Sequence, residues 1–428
     1  MSSKTKTTAT KEKATPALVP KLRFPEFREA DAWEPTTIGA LGRFYYGKSA
    51  PKWSLAEDAP TPCVRYGELY TKFGPVITET YSRTNTAPET LRFSKGGEIL
   101  IPRVGEKPED FGKCCAYLPL KDIAIGEMIS VLETKQHPLF YTYYFRNLYK
   151  QFAKVVEGQN VKNLYFSELE PLPIHCPSSP EQQKIAECLS SVDELIAAQA
   201  RKMDALKTHK KWLMQQLFPR EGETQPRLRF PEYQNAGEWA SEPLGDFGEI
   251  VTGKTPSTKE SDLWGGGILF ITPTDISEDD KYQHTTARTV VETKSTKILP
   301  AGSVVYTCIA SIGKMALTVH PSITNQQINA VVPNEKALGE FIYYALANMT
   351  PWIKTIPATS TLPIINKTDF SKIMIRHPEE KAEQQRIADC LTNLDDLIAA
   401  QTQKLDTLKT HKKGLMQQLF PTPEAVEA

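Results

Sequence analysis

Between positions 181 and 217 apolar side chains recur at alternating three- and four-residue steps: Ile185, Leu189, Val192, Ile196, Met203, Leu206, Leu213 and Leu217, with Gln199 and Lys210 in the two gaps. Between 383 and 419 the pattern returns as Ile387, Leu391, Leu394, Ile398, Leu405, Leu408, Leu415 and Leu419, with Gln401 and Lys412 in the same gaps. Such spacing kept over about five heptads predicts two long helices that bury one seam against a partner helix. At 1.5 Å per residue each would be a rod of about 55 Å. Ser179-Pro180-Glu181-Gln182 reads as a capping box with Pro at the first helical position, and Phe-Pro closes each helix. Elsewhere short apolar runs alternate with Gly and Pro turns, as in Glu98–Pro102 and 303–307, which predicts strands. Helical patches are expected over 138–152 and 338–349, giving an α+β class.

The two helical stretches are one text written twice: 181–219 and 383–421 agree at about 28 of 39 positions. The duplication reaches further back. Leu22-Arg23-Phe24-Pro25-Glu26-Phe27 recurs as Leu228-Arg229-Phe230-Pro231-Glu232-Tyr233, and Trp33, Gly39, Gly42, Gly47 and Lys48 meet Trp239, Gly245, Gly248, Gly253 and Lys254 at the same offset. The chain is therefore a mixed region of about 150 residues followed by a long helix, repeated. The expected boundaries are a disordered tail over 1–20, mixed regions over 21–178 and 221–379, helices over 179–220 and 380–421, and a tail over 422–428.

Because the second mixed region joins the end of the first helix to the start of the second, and domain termini lie close together, the helices should pair antiparallel. Charge agrees. The balance is −3 over 181–199 and +4 over 200–219, then −3 over 383–401 and +3 beyond, so antiparallel pairing sets acidic halves against basic ones. Gln199 and Gln401 are the midpoints of their helices and would meet without stagger, a polar pair able to fix register.

Composition narrows the class. Lys plus Arg equals Asp plus Glu at 51 each in 428 residues, so any nucleic-acid surface must be a local patch. The seven cysteines include no CxxC pair, which fits reduced cytoplasmic thiols and no metal site. No apolar run approaches a membrane span, and the first twenty residues lack a signal peptide's apolar core.

Two segments, Gly42 to Ser49 and Gly248 to Thr255, match the phosphate-loop formula GxxxxGK[ST]. The residues between their glycines are bulky strand formers and no helical pattern follows Pro51 or Pro256, so nucleotide binding is not expected. A methyltransferase's Gly-rich cofactor loop and its Asn/Asp-Pro-Pro-aromatic turn are absent, as is an acidic cluster resembling a nuclease site. Catalysis by this chain is not expected.

Taken in order, the duplicated LRFPE openings, Gly253-Lys254-Thr255-Pro256-Ser257 with Trp264-Gly265-Gly266, Gly126-Glu127, Asn325-Gln326-Gln327 and the EQQxIA start of each helix resemble the DNA specificity subunit of Type I restriction-modification enzymes. The resemblance implies two pseudo-two-fold-related target-recognition domains separated by two long antiparallel coiled-coil helices, each domain reading one half of a split site on double-stranded DNA. It implies two modification subunits that use S-adenosylmethionine to methylate adenine, and restriction subunits that use ATP and Mg, with no cofactor held by this chain. A rod of about 55 Å would span about 16 base pairs.

Base readout wants Arg, Lys, Asn or Gln on loops, with aromatic residues alongside, and phosphate positioning wants Lys, Arg, Ser or Thr. Arg65, Tyr66, Lys72, Arg103, Lys107 and Lys113 fit in the first mixed region, and Lys254, Lys259, Trp264, Thr274, Ser311 and Lys314 in the second. Arg103 and Lys314 lead, each following a comparable apolar strand. The rival reading is a non-catalytic coiled-coil adaptor that binds proteins only; a third is an ATP-dependent enzyme using the phosphate-loop look-alikes.

Overall fold

The computed structural model describes residues 18–48, 50–278, 280–294, 296–355 and 364–421. Residues 1–17, the 422–428 tail and Ser49 of the first phosphate-loop look-alike lie outside them. The tail expected over 1–20 gives way by Leu18, which is buried and whose carbonyl accepts from the Trp33 amide at 3.3 Å. The chain divides into two compact units, Met1–Ala197 with Thr407–Ala428, and Ala198–Asp406, the division passing through both long helices.

In the first unit an antiparallel sheet runs in the order Gly42–Tyr46, Ile129–Thr134, Glu98–Pro102, Ala116–Leu118. Glu98–Pro102 is buried throughout, as its apolar run requires. A second sheet runs Ser82–Thr84, Thr61–Val64, Lys121–Ile125, Phe93–Lys95, with the central pair parallel. The second unit repeats the plan: Gly248–Thr252, Ile328–Pro333, Val304–Thr307 and Met315–Thr318 form the equivalent sheet, extended by Tyr282–Gln283, and Trp264–Ile271 pairs parallel with Ser322–Thr324.

In both phosphate-loop look-alikes the opening residues, Gly42–Tyr46 and Gly248–Thr252, are strands whose backbones are committed to sheet pairing.

One helix of each unit carries its aromatic core. Pro138–Asn147 buries Phe140, Tyr141, Tyr143, Tyr144 and Phe145. The patch expected to continue to 152 breaks at Leu148, and Tyr149–Lys154 packs against Pro108–Lys113, where a Cβ on Gly112 would stand 2.6 Å from the Tyr149 Cα. Its counterpart Gly339–Ile353 runs past 349, with Pro351 in its last turn.

The long helices, Ser179–Leu217 and Lys381–Leu419, are 39 residues each. In the first unit Ile185, Ala186 and Leu189 share a core with Leu415, Leu419 and Phe420, and in the second Leu213 and Leu217 join Ile387 and Leu391. Every residue of the expected seam is buried or half-buried. Within the second unit Gln199 meets Gln401 and Lys210 meets Asp395, so position rises on one helix as it falls on the other and the segments run antiparallel. The Tyr143 hydroxyl donates to Asp193 Oδ2 at 2.7 Å while Lys412 Nζ donates to Asp193 Oδ1 at 2.5 Å; Tyr344, Asp395 and Lys210 repeat the arrangement in the other unit.

The expected capping box is replaced. Helix begins at Ser179 itself, and the Gln182 carboxamide donates to the Pro177 carbonyl at 2.9 Å and accepts from the His137 amide at 3.2 Å, tying the helix to its mixed region. Glu181 is taken by Arg23, Nε to Oε1 at 2.8 Å and Nη2 to Oε2 at 2.7 Å, and Glu383 by Arg229 in the same bidentate way.

Candidate nucleic-acid interface

In the first unit three chain segments are knitted together where the strand Gly42–Tyr46 ends. The Gly47 amide donates to Ile129 O at 3.1 Å, Lys48 to Ile125 O at 2.9 Å, and Gly126 to Val64 O at 2.9 Å. A side chain has no room here, because a Cβ on Gly47 would lie 2.1 Å from Gly126 O. This backbone rim carries Arg65, which follows the strand Thr61–Val64, and Arg103, which follows Glu98–Pro102. The Arg65 amide donates to Glu68 Oε2 at 2.8 Å, fixing the turn that presents half-exposed Tyr66, and the Tyr70 hydroxyl of the same short helix donates to Val104 O at 3.0 Å. Arg65 and Arg103 therefore share one rim.

Arg103 is held on both sides. Its amide donates to Met128 O at 3.0 Å and its carbonyl accepts from Leu164 at 2.9 Å. Its guanidinium lies 4.8 Å from the Tyr46 ring centroid and 5.8 Å from that of Tyr165, cation–π contacts that immobilise the planar group. Burial raises the Tyr46 hydroxyl pKa, with the Arg103 charge opposing it. Arg92 reinforces the rim by donating to Tyr46 O at 2.6 Å while its guanidinium lies over Tyr45.

The second unit has the same rim with other side chains. Gly253 donates to Ile328 O at 3.1 Å, Asn325 to Ile271 O at 3.1 Å, Cys308 to Gln327 O at 2.8 Å, and Ile365 to Cys308 O at 2.9 Å. Thr272 donates its amide to Asp275 Oδ2 at 2.9 Å, as Arg65 does to Glu68. Bond for bond, Tyr46 becomes Thr252, Ser130 becomes Asn329, Arg65 becomes Thr272 and Arg103 becomes Cys308. Arg103 and Lys314 do follow equivalent strands, as the sequence suggests, but they do not occupy the same slot. Lys314 stands at the far end of its hairpin, directly before Met315–Thr318, whereas Arg103 directly follows Glu98–Pro102.

The remaining candidates scatter about these rims. Lys72 lies over the exposed Tyr81 ring at 5.7 Å. Lys107 is exposed at the start of the helix Pro108–Lys113, whereas Lys113 at its end is held by Glu109 at 2.7 Å and by the Tyr149 ring. Lys254 is exposed beside a cavity of about 720 Å³, and Lys259 lies in the exposed loop that follows. Trp264 turns inward: its Nε1 donates to Ser257 O at 3.0 Å, its ring packs edge-on against Phe270, and the Arg288 guanidinium covers it at 3.3 Å. Arg288 is the exposed group of that pair. Thr274 is exposed, its hydroxyl 2.8 Å from that of Thr272. Ser311 and Lys314 line a second cavity of about 740 Å³ with Thr350 and Lys354.

Sequence reading missed Tyr46, Arg92, Tyr165 and Arg288. For Tyr46 a signal existed, since it precedes a glycine shared by both repeats yet differs from its counterpart Thr252. The two rims can present cations, aromatic faces and hydroxyls from rigid backbone, the groups that position phosphates and read base edges.

A family model for the Type I restriction modification DNA specificity domain matches the chain twice, over residues 31–208 and 236–410. The MjaIX Type I restriction enzyme specificity subunit of Methanocaldococcus jannaschii is 32% identical over 168 residues, 38% of this chain and 39% of that one. The HindI specificity subunit of Haemophilus influenzae is 34% identical over 149 residues, 33% of this chain and 32% of that one. The chain thus spans well under half the length of these two relatives. The EcoR124I/EcoR124II specificity subunit of Escherichia coli is matched over more of its length, 29% identical across 70% of this chain and 75% of that one. The fold is also that of the S subunit of the M. genitalium Type I restriction-modification system, with a TM-score of 0.61 at 16% identity, covering 95% of this chain and 100% of that one. With both repeats matched over most of its length, the chain belongs to the family of Type I restriction-modification DNA specificity proteins.

Proposed function

We propose that this chain is the DNA-recognition subunit of a Type I restriction-modification complex and performs no catalysis itself. Each mixed region contacts one half of a bipartite, asymmetric site on double-stranded DNA, and the paired long helices act as an antiparallel coiled-coil ruler between the halves. Two modification subunits supply S-adenosylmethionine-dependent adenine methylation, and restriction subunits supply ATP- and Mg-dependent cleavage. The observation that carries this reading is the rim built from the same backbone bonds in both units, with Arg65, Tyr46 and Arg103 on one and Thr272, Thr252 and Cys308 on the other. One scaffold with two sets of side chains suits two readers of different half-sites. An adaptor that binds only proteins gives no reason for such a pair.

The test is to express the chain with a modification subunit in a host free of adenine methylation and sequence the modified genome. Methyladenine confined to one bipartite motif is the expected result. Methylation without a motif, or none, would return the field to the adaptor.

A further inference from the structure

We propose that Arg103 reads a guanine in the half-site contacted by the first unit, and that the same backbone slot in the second unit is not a guanine reader. The inference rests on the DNA-recognition reading and adds to it the base and the residue. Arg103 differs from Arg43, Arg92 and Arg146 in what its guanidinium touches. Arg43 is paired with Glu133, Arg92 donates to the Tyr46 carbonyl, and Arg146 to that of Cys115. Arg103 reaches only the thioether of Met128, Nη2 to Sδ at 3.5 Å, and its Nε is buried without an acceptor among the described residues. A thioether is a weak acceptor, so most of the fork's donors remain unmatched.

The fork is nonetheless held in place by Tyr46 and Tyr165 and by backbone bonds on both sides of the residue. A half-buried guanidinium fixed in one plane, with donors left over, has the fork that matches the O6 and N7 acceptors of guanine in the major groove. The hydroxyl of Ser130, paired across the sheet from Tyr46, is likewise buried and without a partner among the described residues.

The equivalent slot in the second unit is closed. Thr252 donates its hydroxyl to Asn329 Oδ1 at 2.7 Å, and Asn329 Nδ2 lies 3.3 Å from Cys308 Sγ and 3.4 Å from the Ile365 carbonyl. Its polar atoms satisfy one another and it offers no cation.

The experiment compares the methylated motif written by complexes containing wild-type chain, Arg103→Ala and Arg103→Lys, with duplex binding at fixed salt. The wild-type motif should hold an invariant guanine that becomes degenerate in both variants, with every other position kept. Affinity for the cognate duplex should fall about ten- to a hundredfold in Arg103→Ala. Lysine keeps the charge and loses the fork, so Arg103→Lys should relax the same position with a smaller loss of affinity. The half-site read by the second unit serves as the folding control. An unchanged motif in Arg103→Lys, or uniform weakening on all sequences, would make Arg103 a phosphate contact and overturn the proposal while leaving DNA recognition intact. Absence of any motif from the wild-type complex would defeat the underlying reading instead.

Discussion

Gln199 Nε2 donates to Gln401 Oε1 at 2.7 Å and to the Gln401 carbonyl at 3.1 Å, joining the residue at one position of the repeat to its own copy. Gln199 is buried and its neighbours along the seam are apolar, so the amide pair is satisfied only when these two positions face each other. A register shift of one turn in either direction would set each against an apolar seam residue of the other helix. Gln199→Ala should therefore cost about 1–3 kcal/mol by stranding the other amide, whereas replacing both with Leu should cost less. Chemical denaturation of the two single variants and the double, read as a double-mutant cycle, checks this. A coupling energy near zero would leave the pair without a role in register.

The Arg23–Glu181 pair fastens the first mixed region to the start of its helix. Arg23 is 7% exposed in its side chain and Glu181 1%. Arg23 also donates to the carbonyls of Ala30 at 2.7 Å and Asp31 at 2.9 Å, so its donors are well matched. The hydrogen bond to Glu181 is the main reason its pKa is raised. Arg23→Ala would leave a buried carboxylate unpaired and should destabilise the first unit by about 3–5 kcal/mol. Arg229→Ala should do the same to the second unit through Glu383. Thermal unfolding followed by limited proteolysis would show which unit opens; equal loosening of both units by either change would contradict the assignment.

Lys281 gives the second unit a pH dependence. It donates to the Thr392 hydroxyl at 2.6 Å and the Tyr344 hydroxyl at 3.1 Å, and Asp395, Glu340, Asp396 and Lys210 act on its charge. Burial lowers its pKa from 10.5, the carboxylates opposing and Lys210 assisting. The unfolded chain then binds more protons than the folded one between the depressed folded pKa and the ordinary value, so stability rises with pH across that window. Below it both states are protonated and the cost of burying the charge is fully present. Wild type should gain on Lys281→Met as pH increases toward 10.5. Unfolding midpoints measured for both proteins over that range would run parallel if Lys281 had no such effect.

The long helices were legible because their period is written in thirty-odd residues at a time, and the meeting of Gln199 with Gln401 followed from where the midpoints of the two repeats fall. Strands such as Glu98–Pro102 were legible for the same local reason. The rim was not. That Arg103 corresponds to Cys308 depends on which amide meets which carbonyl across three segments, and Lys314 lies at the far end of the hairpin that Cys308 begins. Trp264 shows a second limit. An aromatic residue in a Gly-rich loop has the composition of a DNA contact, yet the close approach of Gly266 to Val290, where a Cβ would stand 2.4 Å from the Val290 carbonyl, brings the strand in and the indole packs on Phe270.

Leu195 and Leu397 occupy the same position in the two repeats, and both are exposed, at 57% and 40%, on helices whose seam residues face inward. Each is a single apolar side chain left in water, and the duplication places it at the equivalent position of both helices. If the modification subunits of the proposed function dock on this helix face, the two leucines offer each of them the same apolar contact. Leu195→Asp should weaken attachment of one modification subunit and Leu397→Asp that of the other, each by about tenfold or more given roughly 1.5–3 kcal/mol for burying a leucine. The double variant should bind neither at concentrations where wild type holds two. Since neither side chain supports the seam, melting temperature should stay within about a degree or two of wild type. Native mass spectrometry of the reconstituted complexes counts the subunits directly, and a double variant that still carries two would place the contact elsewhere on the chain.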